Sequence, residues 1–375
     1  MLQMDGTSST NRTEFVVFSM LNVLIDYGNA LAQTGIGTYA RSLLAGLQNY
    51  LADEINAEEA GVSVPASSLR PLRRLVYMGK LSLLRRRGYG GFHIIHFANS
   101  YVPKRRPGVG YVVTIYDLDT LLESGAHSRR YVLYYKAIHR KIIARSDRIV
   151  TISNTVRNEI IDYFQLDESR VRTGGIGISP DFANLAQATD KTLPLQPTIL
   201  FVGTINKKKN IAWLVRNIAN GVRTGAIPKV GLVLAGSRGF GFDEVESELR
   251  IAGDIVQWKS GLSMQEIVEL YCNSSAVVLP SLREGFGLPL LEAMCCDKPI
   301  IASRIPSSVE VTNGAANFFS LGDVEEFYEA IKSALADSNA AQRKTIATQQ
   351  LDKYSWRHIA RAHADVYKEV RERFL

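Results

Sequence analysis

Arg283-Glu284-Gly285-Phe286-Gly287-Leu288-Pro289-Leu290-Leu291-Glu292-Ala293-Met294 is the stretch on which the fold turns. Just ahead of it, Ala276-Val277-Val278-Leu279 is a short apolar run of the kind that forms a strand buried on both faces, and Pro280 and Ser281 end it. Gly285 and Gly287 then allow the chain to bend and to approach a ligand closely. A helix from about Leu288 points its free N–H groups and positive dipole end outward, where a phosphate fits. Glu284 before the turn and Glu292 inside the helix can accept hydrogen bonds from sugar hydroxyls beside the phosphates. A strand, a glycine turn and a helix can equally be a plain tight connection, so the rest of the chain must decide.

The chain has 375 residues, 46% of them hydrophobic, enough for two domains with separate cores. No apolar run approaches the roughly 20 residues that cross a bilayer, and Met1 to Glu14 is polar rather than signal-like, so a cytoplasmic protein is expected. Cys272, Cys295 and Cys296 lack zinc spacing and read as reduced thiols in apolar surroundings, and no metal site is legible. The net charge of +7 is concentrated in the first half. Arg70 to Arg87 mixes cations with Leu72, Leu75, Val76, Met78, Leu81, Leu83 and Leu84, which suits either a basic amphipathic helix on an anionic membrane or a solvated helix packed on the core. Nucleic acid is the weaker partner, because no aromatic-studded basic motif accompanies the charge.

Along the chain, strand and helix alternate. Residues 1–14 read as a disordered start. Phe15 to Ile25 is the first strand, and Gly35-Ile36-Gly37 opens a helix with Leu43, Leu44 and Leu47 at helical spacing. Leu51 to Ser68 has no clear period and reads as a loop. Phe92 to Phe97 and Gly110 to Tyr116 are buried strands. A helix over Tyr131 to Arg145, a strand over Asp147 to Ile152, a helix over Asn154 to Phe164 capped by Ser153, and a strand over Val171 to Ile176 follow. Prolines and polar residues from Ser179 to Pro197 suggest a linker, placed at 186–197 between a first domain (15–185) and a second domain (198–355). There the alternation restarts, with strands at Thr198, Val230, Asp254 and Val277, a capping box at Ser263 and Glu266, a strand at Pro299 to Ala302, and helices over Val324 to Leu335 and Trp356 to Phe374. This order implies two doubly wound parallel sheets, an α/β fold in which ligands sit outside the strand carboxyl ends, with the last helix (356–375) returning to the first domain. The glycine turns at Gly35 to Gly37 and Gly285 to Gly287 then approach one ligand from two sides.

An ordered set of motifs resembles the retaining glycosyltransferases of family 4, which have the two-lobed GT-B fold. The set comprises Phe201-Val202-Gly203-Thr204, Lys207-Lys208-Lys209-Asn210, Leu234-Ala235-Gly236, Leu279-Pro280-Ser281, Glu284-Gly285-Phe286-Gly287, Glu292-Ala293-Met294, Pro299 to Ser303 and Tyr354-Ser355-Trp356. In the first half, Thr34 to Gly37 and Val112 to Leu118 extend it, and Leu51 to Gly91 is unmatched.

The resemblance implies roles by position. Glu292 would hold the donor ribose, Glu284 would face the transferred sugar, and Phe286, Gly287 and Leu288 would present backbone N–H groups. Lys209, with Lys208, would neutralise the donor diphosphate as charge develops on it, beside Gly203 and Thr204. Gly35, Ile36 and Gly37 would close over it from the other domain. Two positions depart from the pattern. Thr204 stands where many members carry Arg, and Tyr116-Asp117 stands where many carry His-Asp, so Tyr116 is the catalytic candidate in that place. His96, Asn99 and Asp117 are the acceptor-side candidates.

The reading is a retaining, metal-independent transferase that needs no cofactor and takes a nucleotide sugar as substrate. GDP-mannose is favoured over UDP-sugars because the Val-Gly-Thr and Lys-Asn pattern looks most like mannosyltransferases. The acceptor is expected to be a glycan, lipid-linked at the inner membrane face, with Arg70 to Arg87 touching anionic lipid. The rival readings are a nucleotide-sugar-binding scaffold with weak catalysis and a synthase acting on a soluble sugar.

Overall fold

The computed structural model describes residues 20–27, 35–60, 91–99, 102–122, 128–190 and 195–374. The polar N-terminus, the start of the first strand, Thr34 and the basic run Arg70 to Arg87 lie outside them.

The first lobe is a six-stranded parallel sheet of β1 (Leu21–Asp26), β2 (Ile55–Glu59), β3 (Ile94–Phe97), β4 (Gly110–Ile115), β5 (Arg148–Thr151) and β6 (Val171–Thr173), in the order β2-β1-β3-β4-β5-β6. Its described helices are α1 (Gly35–Tyr50), the single turn α2 (Asp119–Leu122), α3 (Arg129–Arg145) and α4 (Asn154–Phe164). β3, β4 and β5 are buried along their whole length, which is why they read as unbroken apolar runs. The expected loop over Leu51 to Ser68 instead holds β2. Its sequence Ile-Asn-Ala-Glu-Glu buries only Ile55 and Ala57, the pattern of an edge strand with one face in water.

α5 (Pro180–Ala188) carries the chain into the second lobe, where Phe182 packs edge-on against Tyr271. The crossing therefore falls at about 174–179, earlier than the linker expected at 186–197. The Pro, Ser and Asn that suggested a linker start a helix with Pro180 in its first turn.

The second sheet contains β7 (Thr198–Val202), β8 (Gly231–Ala235), β9 (Val256–Lys259), β10 (Ala276–Leu279), β11 (Ile300–Ser303) and β12 (Ala316–Phe319). Its order is β12-β11-β10-β7-β8-β9, so the winding reverses between β7 and β10. Around it lie α6 (Ile211–Thr224), α7 (Phe242–Ala252), α8 (Met264–Asn273), α9 (Leu288–Cys295), α10 (Pro306–Thr312), α11 (Val324–Ala336) and α12 (Ala340–Lys353). The capping box of Ser263 and Glu266 is formed at α8.

α13 (Trp356–Arg371) returns to cover the first sheet against α1. Trp356 Nε1 donates to Ile178 O at 2.8 Å, tying the two crossings of the chain together. A β-carbon on Gly177 would stand 2.5 Å from Tyr354 O, so the crossings touch backbone to backbone. No described helix is long and apolar enough to cross a membrane, and all three cysteines are free.

Candidate active site

The site is built where the second sheet changes direction. β7 leaves its carboxyl end through Gly203, whose φ of 143° only glycine adopts easily. A β-carbon on the neighbouring Gly236 would lie 1.9 Å from Gly203 O, so the ends of β7 and β8 are in backbone contact. The chain next forms a tight turn over Lys207–Lys209, capped by Asn206 Oδ1 accepting from Lys209 N at 3.1 Å. β10 exits beside it, and Leu282 N donates to Lys208 O at 2.9 Å, joining the two strand exits.

These connections place Lys209 on Glu284. The Lys209 ammonium pairs with Glu284 Oε1, and Ser281 Oγ donates to the same oxygen at 2.6 Å. Glu284 is 8% exposed, so its charge is held by its partners rather than by water. Ser281 is fixed in turn by Ser303 Oγ, which donates to Ser281 O at 2.6 Å. The chain then turns at Gly287, with φ 98°, and α9 begins at Leu288. Phe286 turns its ring into the core against Tyr354, centroids 5.0 Å apart. One turn into α9, Glu292 Oε2 accepts from Tyr271 Oη at 2.7 Å. Burial raises the Glu292 carboxyl pKa, and the Tyr271 hydrogen bond opposes that rise.

The first lobe completes the site from the carboxyl ends of β4 and β5. A β-carbon on Gly285 would stand 2.6 Å from Tyr116 O, so the glycine allows the two lobes to touch. Ser153 Oγ caps α4 and also donates to Gly285 O at 2.5 Å. Asp119 receives the Lys208 ammonium on one oxygen and Arg283 Nε at 3.1 Å on the other. Arg283 also pairs with Glu159. Lys208 Nζ lies 3.9 Å from Glu284 Oε2; burial pulls its pKa down, but Glu284 and Asp119 outweigh burial and raise it. Glu310 of α10 accepts from Asn154 N at 2.7 Å and Thr155 N at 2.9 Å, placing a carboxylate on the first turn of α4.

The structure thus brings together Gly203, Thr204, Lys208, Lys209, Glu284, Gly285, Phe286, Gly287, Leu288 and Glu292. Gly35, Ile36 and Gly37 form the start of α1, after β1, at the reversal point of the first sheet. Asn99 sits at the same reversal point, its side chain 3.3 Å from Asp26 O. Asp117 lies beside Gly285 and accepts from Asp119 N at 3.1 Å; burial, then the neighbouring Asp119, raise its pKa.

Two expectations change. His96 is 0% exposed, its Nδ1 2.7 Å from Tyr367 Oη and its Nε2 2.7 Å from Thr114 Oγ1, with its ring stacked on His363. Burial holds it neutral, so it fastens α13 to the first sheet and is not an acceptor ligand. The Tyr116 hydroxyl donates to Ala98 O at 3.0 Å, and burial raises its pKa. With its hydroxyl engaged inside the first lobe, Tyr116 meets the second lobe through its backbone carbonyl rather than through its side chain.

Tyr271, Ser153, Asp119, Glu159 and Glu310 join the site without being candidates in the sequence, and Ser281 and Arg283, both inside the motif stretches, gain their partners only in the fold. For Ser153 the only signal was its N-cap position. For Tyr271 and Glu310 there was none, because their partners lie far along the chain.

Residues 33–182 match the family model described as glycosyltransferase family 4, and residues 189–350 match the model described as glycosyl transferases group 1. The chain is 27% identical over 288 residues to O-antigen chain mannosyltransferase B of Escherichia coli, covering 74% of each chain. It is 25% identical over 271 residues to O-antigen chain mannosyltransferase RfbU of Salmonella typhimurium, covering 71% of this chain and 72% of that one. Among solved structures, Anabaena HepE in complex with UDP-glucose superposes with a TM-score of 0.67 at 15% identity, over 93% of this chain and all of that one. With two parallel six-stranded sheets and both halves of the chain matched, the chain belongs to glycosyltransferase family 4 and has the GT-B architecture.

Proposed function

We propose that the chain transfers mannose from GDP-mannose to a hydroxyl of a lipid-linked saccharide, with retention of anomeric configuration, during surface polysaccharide assembly. The observation that carries this reading is the convergence of Lys209, Glu284, the start of α9 and Glu292 at one strand crossover, closed by Tyr116 to Asp119 and Ser153. The two O-antigen mannosyltransferases among its relatives support the choice of sugar.

In this reading the donor diphosphate draws Lys208 and Lys209 away from Asp119 and Glu284 and takes the free N–H groups at Gly287 and Leu288. Glu292, steadied by Tyr271, accepts from the ribose hydroxyls. Glu284 stays at the sugar as a hydrogen-bond acceptor and negative partner for the developing oxocarbenium ion. The bond from the anomeric carbon to the phosphate oxygen breaks as the acceptor oxygen attacks the same face. The acceptor proton passes to the departing phosphate, and the two lysines hold the charge left there, so no metal ion is required. The protein would work in the cytoplasm at the inner membrane face, with Arg70 to Arg87 contributing to lipid contact.

Titration calorimetry with GDP-mannose, GDP and UDP-glucose tests the donor. Tighter binding of the guanosine ligands is the expected result, and preference for UDP-glucose overturns the sugar assignment. Glu292→Ala separates a transferase from a scaffold: a transferase loses turnover and donor affinity together, whereas a scaffold keeps its cellular role.

A further inference from the structure

The two crossings of the chain between the lobes, together with α1, α5, α9 and the end of α12, enclose a cavity of about 440 Å³ that the reaction above does not use. It lies apart from the active site. α1 and α9 begin at the carboxyl ends of their sheets, at Gly35 and Leu288, yet α1 meets the cavity only from Ser42 onward and α9 reaches it as far as Cys295, its last residue. At about 1.5 Å per residue, each of those two positions is about 10 Å along its helix from the active-site end.

The lining is uncharged. Among the 16 described residues that line the cavity none is Asp, Glu, Lys or Arg, where a chain with 22% charged residues would place about three or four. Ala45, Ala183 and Leu291 supply carbon surface. Two aromatic rings join them: Trp356, fixed by its bond to Ile178 O, and Tyr50, 47% exposed with the Arg357 guanidinium 5.1 Å from its ring centroid. Asn49 from the first lobe and Asn184 and Gln187 from α5 are exposed at the same cavity, and none of the three has a hydrogen-bond partner among the described residues.

We infer that this interlobe cavity is a second saccharide site, for an uncharged glycan. A phosphate or nucleotide would call for a cation in the lining, and a wholly apolar ligand would strip water from three amides and return nothing to them. A sugar meets both kinds of surface. Its C–H faces pack on aromatic and aliphatic carbon, and its hydroxyls donate and accept, as an amide side chain also does. A glycan held there can stay bound while its end is extended at the active site. That consequence rests on the glycan acceptor proposed above; the site itself does not.

Cys295 provides a local probe, because it lines the cavity and is half-buried, whereas Cys272 and Cys296 are buried. In the full chain, mannotriose at ten times its dissociation constant should slow alkylation of Cys295 by N-ethylmaleimide about 10-fold, read by mass spectrometry of the modified peptide. GDP should give no such protection. The combined Asn184→Ala and Gln187→Ala variant should bind mannotriose about 10-fold more weakly in calorimetry, with an unchanged unfolding midpoint to report that it is folded. Ala45→Trp, which fills the cavity, should abolish the protection, and the alanine pair alone decides the matter if that variant loses its fold. Absence of binding by wild type to mannotriose, maltotriose and chitotriose overturns the inference. So does binding that leaves Cys295 unprotected and is unchanged in the alanine pair, which would place the sugar in the active site, and so does equal protection by GDP, which would assign the effect to movement of the lobes. If maltotriose or chitotriose protects Cys295 and mannotriose does not, the site stands and the choice of mannose, which rests on the sugar proposed above, falls. If mannotriose binds in the cavity but the alanine pair extends long glycans as fast as wild type, the site stands and its part in holding the acceptor falls.

Discussion

Replacing Gly285 with Ala adds one methyl group at the point where the two lobes touch. Gly285 is not among the glycines with positive φ, so alanine can adopt its backbone conformation and the effect is steric. The new carbon would start 2.6 Å from Tyr116 O, whereas ordinary contacts begin at 3.4 Å, so the gap must open by 0.8 Å. Opening the same distance at Ser153 would stretch its 2.5 Å hydrogen bond to Gly285 O to about 3.3 Å, beyond the range of a good hydroxyl bond. Overpacking of this kind costs about 1–3 kcal/mol, which corresponds to a fall of about 5- to 150-fold in turnover if the closed arrangement is the active one. Donor affinity should change little, because Lys209, Glu284 and Glu292 all belong to the second lobe. Steady-state kinetics alongside calorimetry with the donor nucleotide reads both quantities. Wild-type turnover in the variant would refute the reasoning, and so would an equal loss of affinity and turnover, since the strain would then lie within the second lobe.

Other perturbations read the same architecture. Glu292→Ala should weaken donor binding about 10- to 100-fold in calorimetry, the effect of losing charged hydrogen bonds to the ribose. Tyr271→Phe removes a hydrogen bond that favours the Glu292 carboxylate, so donor binding should fail at a higher pH on acidification than in wild type. Glu310→Ala takes the carboxylate off the first turn of α4 and should speed hydrogen exchange at the Asn154 and Thr155 amides about 10-fold. Burial lowers the pKa of His363 to about 4, so below the ordinary value of about 6.5 the unfolded chain takes up a proton that the folded chain refuses. Stability should therefore be level above that value and fall by about 3 kcal/mol between it and pH 4, with His363→Gln flattening the slope in denaturant titrations.

The second lobe was the more legible half, because its chemistry is local. The glycine turn, Glu284 and Glu292 lie within ten residues of one another, and the lysine turn follows directly on the strand it serves. What escaped were partners brought together by the meeting of the lobes. Asp119, Glu159 and Glu310 look like any surface acids until Arg283, Lys208 and the first turn of α4 are seen against them. β2 is hard to read because an edge strand with one wet face does not show an apolar run, and α5 because Pro180 and the polar residues around it also make a good linker. His96 departs from its expected place for a related reason. A histidine after an apolar strand looks available, and only α13, contributed by the far end of the chain, buries it against Tyr367 and His363.

The most direct measurement of the central claim is the product formed from GDP-mannose and a lipid-linked saccharide, with its anomeric configuration read by nuclear magnetic resonance, for wild type and Glu292→Ala. Wild type should form a mannoside with the donor's own α configuration, and the variant should form little or none. Inverted product, or no transfer by wild type from this or any other nucleotide sugar, would contradict it.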